Sequence, residues 1–324
     1  SVSRNGPIAY NRGMLRRHLL GLPLAALAQP PGRKVQSLRI QILSTMLADA
    51  GIGEWGFAAM VEADGQRILF DAGTRPDTVL ENAKTLKVDL AVNEMMLSHF
   101  HGDHNGGLLT LRKAVAPALN RCYVGEGIFL PRRASQFDER EGNATLLLKP
   151  AYEAAGGKFL TIAKPTEIHP GVWLTGPVPR KYPERNWSGS GRIVTAKGQV
   201  EDTVPEDMSM VFDTAAGLVV LSGCGHSGII NTLEHARTTI RQAPIHAAIG
   251  GFHLFDANDQ TLAWTAGKLR EFGLANFVGS HCTGIEPVYQ FRERLGLGRR
   301  HSVVGAVGAG FDLAKGILPG RLAR

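Results

Sequence analysis

Four side chains that commonly bind metals lie within six residues of this chain, at His99, His101, Asp103 and His104. An apolar run that ends at Leu97 precedes them and is typical of a buried strand. The pair Gly106-Gly107 follows, which lets the chain turn into a helix that begins near Leu108. We therefore expect a tight ligand loop at the carboxyl end of a strand, where open α/β sheets place their sites.

The spacing within this loop indicates two metal ions. Residues two apart on an extended segment point the same way, so His99 and His101 are expected to bind one ion together. Asp103 and His104 are neighbours on a turn and are expected to face a second ion. Imidazole suits zinc, and carboxylate oxygen also suits manganese or iron. A polar loop whose histidines only cap neighbouring elements is the alternative, and four ligands packed after an apolar strand count against it.

The loop resembles the His-x-His-x-Asp-His signature of the metallo-β-lactamase superfamily, and the match is complete. The resemblance implies an α/β (α+β) fold, the αββα metallo-β-lactamase sandwich. In that fold two mixed β-sheets lie face to face, flanked by helices, and the metal site lies at one edge. Residues 36–324 are expected to form this single domain.

Charge counts against a nucleic-acid partner. The formal net charge of the 324 residues is +7, but residues 1–34 carry six basic side chains and no acidic one. The other 290 residues therefore have a net charge of only +1. Enzymes of the superfamily that process RNA or DNA need a phosphate-binding surface. A small-molecule substrate is the expected partner, and the sequence leaves the oligomeric state open.

Residues 1–35 resemble a twin-arginine export signal. The pair Arg16-Arg17 opens an apolar stretch, Leu19 to Ala28, that ends in a small-x-small pattern. This predicts a periplasmic protein that is exported folded, with its metal already bound. The alternative is an amphipathic amino-terminal helix on a cytoplasmic protein. The stretch is too short and too interrupted by Pro and Gly for stable membrane insertion.

The first half of the predicted domain runs strand, hairpin, helix, strand, metal loop and helix. The hairpin is predicted by Asp64-Gly65 between the apolar runs 56–63 and 66–71. The second run ends in Phe70-Asp71-Ala72-Gly73, which resembles the Asp-x-Gly stretch that precedes the metal motif in the superfamily. That resemblance implies that Asp71 holds a ligand histidine. A plain turn aspartate is the alternative.

The middle of the chain, about residues 131–207, is predicted to be an irregular insert that shapes the substrate pocket. Short strand-like runs are expected at 158–162 and 172–175. A polar, glycine-rich segment spans 182–192. Four basic side chains there are candidates for contact with an anionic substrate or, equally, for solvated loop charges: Arg180, Lys181, Arg185 and Arg192.

The second half repeats the pattern of a strand that ends in a glycine-rich loop and is followed by a helix. A hairpin is expected over 209–214 and 218–222, helices over 229–241 and 261–272, and strands over 245–249 and 275–278. Two of the loops carry a ligand-type residue in Gly223-Cys-Gly-His226 and Ser280-His281-Cys282. His281 matches the last ligand histidine of the superfamily. The third histidine, which is usual before the 209–214 strand, is absent there, and its role is assigned to His226.

One branch of the superfamily combines four motifs that occur here in order: Ser-His-x-His-Gly-Asp-His, Gly-Cys-x-His-x-Gly-Ile, Gly-Gly-x-His-Leu and His-Cys-Thr-Gly. These are the proteins similar to dihydropterin-linked ribofuranosylaminobenzene phosphate synthase, and the resemblance covers about residues 37–310. Cys224 stands where the bridging carboxylate is usual. It is either a thiolate ligand or a small buried residue. His253 belongs to the third motif and is a candidate active-site group.

The resemblance predicts a metal-dependent hydrolase whose two zinc ions activate a water for attack on an ester, lactone or phosphoester-type bond. Manganese and Fe²⁺ are alternatives to zinc. The first ion is assigned to His99, His101 and His226, and the second to Asp103, His104 and His281. Asp103 and His253 are the predicted catalytic residues. Two other functions stay open: a synthase that acts on a phosphoribosyl pyrophosphate-type substrate, and a non-catalytic metal-binding or sensor protein.

Overall fold

The computed structural model describes residues 33–323. The predicted twin-arginine segment therefore lies, apart from its last three residues, outside the described residues. Residues 33–323 belong to one compact unit. No helix between residues 33 and 323 has both the length and the apolarity needed to cross a membrane.

The described chain contains eighteen strands, seven α-helices and two short 3-10 helices. The strands are β1 (Leu38–Ser44), β2 (Ala58–Ala63), β3 (Gln66–Phe70), β4 (Glu94–Leu97), β5 (Arg121–Gly125), β6 (Arg132–Arg133), β7 (Lys158–Ile162), β8 (Thr166–His169), β9 (Val172–Leu174), β10 (Arg192–Thr195), β11 (Gly198–Glu201), β12 (Met210–Thr214), β13 (Gly217–Ser222), β14 (Ile245–Gly250), β15 (Asn276–Gly279), β16 (Ser302–Val304), β17 (Gly310–Asp312) and β18 (Gly316–Leu318). The helices are α1 (Thr78–Leu86), α2 (Gly102–Asn105), α3 (Leu108–Ala114), α4 (Ala144–Ala154), α5 (Ile229–Thr239), α6 (Asp259–Glu271) and α7 (Glu286–Arg294), with 3-10 turns at His281–Thr283 and Arg321–Ala323.

Two large mixed sheets contain most of the strands. The eight-stranded sheet has the order β18-β17-β1-β2-β3-β4-β5-β7, and its last four strands are parallel to one another. The seven-stranded sheet has the order β16-β15-β14-β13-β12-β9-β8, with β13 to β16 parallel. A small third sheet consists of β11-β10-β6.

Period-two alternation along the strands builds a four-layer sandwich. In β13, Val219 and Leu221 join the core between the two large sheets, whereas Val220 faces the cluster that contains residues of α5, α6 and α7. In β4, Met96 joins the same central core, and Met95 faces the cluster that contains residues of α1, α3 and α4. Helices therefore cover both outer faces, and the predicted αββα metallo-β-lactamase fold is confirmed.

The stretch 131–207 is more regular than the sequence predicts. It contains α4 and six strands, of which β7 extends the eight-stranded sheet and β8 and β9 extend the other. The helix lacks a clear sequence signal because Pro150 lies inside it. The loops between β6 and α4 and between β9 and β10 keep the expected irregular character. Part of the second loop lies against the predicted metal residues.

Gly106 fixes the position of the metal loop by steric closeness. Its φ of −60° suits any residue, so the turn does not need its conformational freedom. A Cβ atom there would lie 1.7 Å from the carbonyl oxygen of Thr74, which no side chain tolerates. Its N–H donates to the carbonyl of Gly73 at 2.9 Å. The metal loop and the loop after β3 therefore pack backbone against backbone.

We predict that Gly106→Ala lowers the free energy of unfolding by about 3 kcal/mol, because the loops must separate to admit the methyl group. Gly102 is a matched control in the same loop, since a Cβ there meets nothing within 4 Å. Gly102→Ala is expected to change stability by less than about 0.5 kcal/mol. Urea unfolding of both variants measures the difference, and equal stabilities would contradict this role for Gly106.

Candidate metal centre

The predicted site residues meet at one edge of the sandwich. His99, His101, Asp103 and His104 follow β4 in the eight-stranded sheet, while His226, His253 and His281 follow β13, β14 and β15 in the other. The last three strands are parallel neighbours, so their carboxyl ends form one edge. The fold therefore brings together residues that are up to 182 positions apart in the sequence.

His99, His101 and His226 form a first ligand group. The Nε2 atom of His99 lies 2.9 Å from Nδ1 of His101, and Nε2 of His226 lies 3.1 Å from the same atom. The ligand nitrogens of a tetrahedral zinc site are separated by about 3.3 Å, given Zn–N bonds near 2.0–2.1 Å. The three nitrogens are thus close to the arrangement that one zinc ion requires.

The hydrogen bonds around this group leave lone pairs that converge. Nδ1 of His226 faces the carbonyl oxygen of Asn186 at 2.5 Å, so this nitrogen carries the proton. Nδ1 of His99 lies 2.9 Å from the Ser98 hydroxyl, which itself donates to Asp71 at 2.8 Å and so accepts from His99. The Nε2 atoms of His99 and His226 therefore both point lone pairs at Nδ1 of His101. That nitrogen carries at most one proton, so it can donate to only one of them. A bound cation satisfies all three nitrogens.

The three histidines are held in the neutral form that binds metals. Burial lowers the pKa of His99, and the neighbouring histidines lower it further. Burial likewise lowers the pKa of His101 to about 4 and lowers that of His226 well below its ordinary value. At neutral pH no proton competes with a metal ion for these nitrogens.

Asp103, His104 and His281 form a second ligand group. An oxygen of Asp103 lies 3.3 Å from Nε2 of His281 and 3.9 Å from Nε2 of His104. Burial alone would raise the pKa of Asp103, but the two histidines hold it well below its usual range. Burial would lower the pKa of His281, but Cys282 and Asp103 raise it to about 10. The carboxylate thus has a cation beside it, a place that a metal ion also fits.

Asp71 orients ligands of both groups, as the Asp-x-Gly motif predicts. Its carboxylate lies 2.7 Å from Nδ1 of His104 and accepts from the N–H and hydroxyl of Ser98 at 2.7 and 2.8 Å. Ser98 in turn contacts His99. Asp71 is fully buried and has a left-handed φ of 55°, which is uncommon outside glycine and is often found at functional sites.

Two contacts at the centre were not predicted from the sequence. The Asn186 carbonyl that bonds His226 comes from the long loop between β9 and β10, and no local pattern identifies a backbone oxygen as a partner. The ring of Trp55, which is 49% exposed, lies with its centroid 4.9 Å from that of His281. The available sequence signal was a tryptophan just before the predicted hairpin.

A cleft of about 570 Å³ begins at His253. One wall is residues 183–187 of the long loop, and the other is residues 254–265 at the start of α6. Trp187 and Trp264 contribute aromatic surface. His253 has a left-handed φ of 46°, and its ring centroid lies 4.7 Å from that of His226. The predicted catalytic histidine therefore lies between the ligand groups and the cleft.

Three of the four basic residues considered for an anionic substrate have partners within the protein. Arg180 donates to the backbone carbonyls of Thr203 and His226. Arg185 pairs with Glu201 at 2.6 Å, and Arg192 donates to three carbonyls of its own loop. These three arginines therefore stabilise the conformation of the loop through contacts within the protein.

The αββα fold, with a cluster of histidines at one edge of the sandwich, is typical of a single superfamily. The model of the metallo-beta-lactamase superfamily matches residues 56–239, which is more than half of the chain. The chain belongs to that superfamily, whose members are typically metal-dependent.

Three proteins are similar to this chain in sequence or in structure. A 7,8-dihydropterin-6-methyl-4-(beta-D-ribofuranosyl)-aminobenzene-5'-phosphate synthase of Methanocaldococcus jannaschii is 27% identical over 80% of this chain and 92% of its own length. Uncharacterized protein MJ0448 of the same archaeon is 30% identical over 71% of this chain and 84% of its own length. The crystal structure of Tm1679, described as a metal-dependent hydrolase of the superfamily, is 28% identical with a TM-score of 0.67, covering 80% of this chain and 93% of that one.

We predict that Asp71→Asn lowers the affinity for zinc about 10–100-fold, because the neutral amide no longer holds the His104 ring as a strong acceptor. Competition with a chromophoric chelator measures this affinity. Asp64→Asn is the control, since Asp64 also has a left-handed φ and accepts backbone N–H groups, but it lies in the β2–β3 turn. Unchanged affinity in the Asp71 variant would contradict the assigned role.

Proposed function

We propose that this protein is a metal-dependent hydrolase that holds two zinc ions, one in each ligand group. The observation that carries the proposal is the convergence of three imidazole lone pairs beside an Asp-His-His group on a single edge. Imidazole and carboxylate donors fit zinc, and also manganese or Fe²⁺. When bound, two such ions make a water nucleophilic at neutral pH and stabilise the oxygen that gains negative charge.

The chain's own residues supply proton handling and orientation. Asp103 is one-fifth exposed, and its lowered pKa keeps it ionised, so its carboxylate is suited to accept a hydrogen bond from the attacking water. His253 lies at the inner end of the cleft. In this position its imidazole is suited to donate a hydrogen bond to the substrate oxygen that becomes negative. The complete ligand set argues against a non-catalytic sensor.

The charges around the cleft count against an anionic substrate. Among its described lining residues, Glu184 accepts from the backbone N–H groups of Ile230 and Asn231 at the start of α5. Arg185 pairs with Glu201, and Asp256 adds an exposed carboxylate to the opposite wall. A neutral ester or lactone therefore fits this wall better than a phosphate. The cleft volume is in the range of small-molecule sites.

A synthase reaction on a phosphoribosyl pyrophosphate-type substrate is the second candidate. The similarity to the archaeal synthase favours it. It requires several cationic groups that face the substrate, and the arginines of the long loop are engaged internally. Export to the periplasm stays a prediction, because the twin-arginine pattern lies outside the described residues.

We expect Asp103→Ala to lower kcat by about 100-fold or more, because the variant loses both a ligand and a proton acceptor. Turnover of lactone, phosphodiester and β-lactam substrates by the zinc-loaded protein provides the assay. Asp89→Ala is the control, since that carboxylate is exposed and pairs only with Arg67 among the side chains described. Circular dichroism verifies that both variants fold. A fully active Asp103 variant would exclude the proposed mechanism.

The two candidate functions differ in ligand charge. We expect the zinc-loaded protein to hydrolyse an aryl ester or lactone and to show no calorimetric binding of phosphoribosyl pyrophosphate. Chelation of the metal is expected to abolish hydrolysis, and added zinc to restore it. Tight binding of the pyrophosphate without hydrolysis of any neutral substrate would favour the synthase reaction.

A further inference from the structure

Two cysteines and a histidine that the two ligand groups do not use lie together beside them. The Sγ atoms of Cys224 and Cys282 are 3.3 Å apart, and both residues are at least 98% buried. His253 completes the cluster, in which one ligand atom from each of the three residues lies within 4.8 Å of the others. We propose that Cys224, His253 and Cys282 form a third metal-binding position, which takes a thiophilic ion such as Zn²⁺.

The sheet register creates this cluster. Gly250 of β14 pairs with Ser222 of β13 on one side and with Gly279 of β15 on the other. The three residues follow these paired positions by two or three residues in three adjacent parallel strands. Their side chains therefore lie at the same level of the sheet edge. This arrangement follows from the strand register and does not depend on a long or mobile loop.

The backbone leaves room for the sulfur atoms. A Cβ atom on Gly251 would lie 3.0 Å from Sγ of Cys282 and 2.0 Å from the carbonyl oxygen of Gly223. Glycine at this position therefore allows the loop after β14 to approach both cysteine-bearing loops. Two thiolates of a tetrahedral zinc site are about 3.8 Å apart, given Zn–S bonds near 2.3 Å. A shift of about 0.5 Å would accommodate an ion.

His253 provides an independent indication of a ligand. Its Nδ1 atom is buried and has no hydrogen-bond partner among the described residues. A buried polar atom without a partner is energetically costly, and the left-handed backbone of this residue adds to that cost. Simple packing of two small thiols explains neither feature. Coordination of a cation provides a partner for Nδ1. It also explains the strained backbone as the conformation that holds the ring in place for binding.

The donors of this position differ from those of the two ligand groups. Two thiolates and an imidazole select soft or borderline ions, and the two negative charges of the thiolates balance one divalent cation. Cys224 lies between this position and the second group, because its Sγ is also 3.1 Å from Nε2 of His104. If the proposed hydrolase activity holds, a metal on one nitrogen of His253 fixes the proton on the other nitrogen, which then donates to the substrate.

Cobalt titration of the metal-free protein tests the position without any activity measurement. The protein is stripped with a chelator under reducing conditions, titrated with Co²⁺, and followed by the near-ultraviolet thiolate-to-cobalt charge-transfer band. Elemental analysis counts the ions after gel filtration. We expect a thiolate band in the wild-type protein and about three ions per chain at saturation.

Two variants and a control decide the result. Cys282→Ser and His253→Asn are each expected to bind about one ion fewer than wild type, and the serine variant to lose most of the band. Asparagine tolerates the left-handed backbone at residue 253. Cys122→Ser is the control, since Cys122 is buried in β5 of the other sheet and is expected to leave both readouts unchanged.

Saturation of the wild-type chain at two ions, with a band that survives Cys282→Ser, would overturn the proposal. That result would make Cys224 a ligand of the second group alone. Wild-type ion counts also decide the matter if a variant fails to fold. Because no step uses turnover, an inactive protein with three ions would retain this inference while the proposed hydrolase function fails.

Discussion

The buried carboxylate of Asp71 is the contact on which the geometry of the centre depends. It lies at the end of β3 and holds three groups of the metal loop, two from Ser98 and one from His104. A buried charge without partners would be costly, and the three donors offset that cost. Through Ser98 the same carboxylate fixes the proton of His99. The position of Asp71 at the end of its strand therefore determines how the ligand side chains after the neighbouring strand are oriented.

The sandwich supplies donors of different character along one edge. The first group is three neutral imidazoles, the second adds the carboxylate of Asp103, and the third cluster contributes two thiols. The eight-stranded sheet provides the ligands that lie close in sequence, and the seven-stranded sheet provides those that follow its parallel strands. A dissociation of the two sheets would therefore separate each ligand group into parts that bind metal weakly.

The sequence predicts the parts of the centre that depend on local pattern. His99, His101, Asp103 and His104 form a compact motif after an apolar strand, and His226 and His281 follow later strand ends in glycine-rich loops. The structure brings all six together in the two predicted groups. The αββα fold was implied by the resemblance of this motif to the superfamily, and alternation and turn residues, which are local signals, located many of its strands.

Features that depend on distant contacts were not predictable. The contact between Cys224 and Cys282 joins residues 58 positions apart, and the carbonyl of Asn186 carries no side-chain signature. Helix α4 was missed because a proline interrupts its pattern. Gly106 was interpreted as a flexible turn residue. Its actual role is to leave room for the backbone of Thr74, and this contact is visible only in the folded structure.

Anomalous X-ray scattering at the zinc edge, from crystals of the chain purified without added metal, tests the central claim most directly. The proposed hydrolase centre predicts one peak bounded by His99, His101 and His226 and a second bounded by Asp103, His104 and His281, apart from the peak expected at Cys224, His253 and Cys282. The absence of a peak in either group, after soaking with zinc and then with manganese, would contradict a two-ion centre.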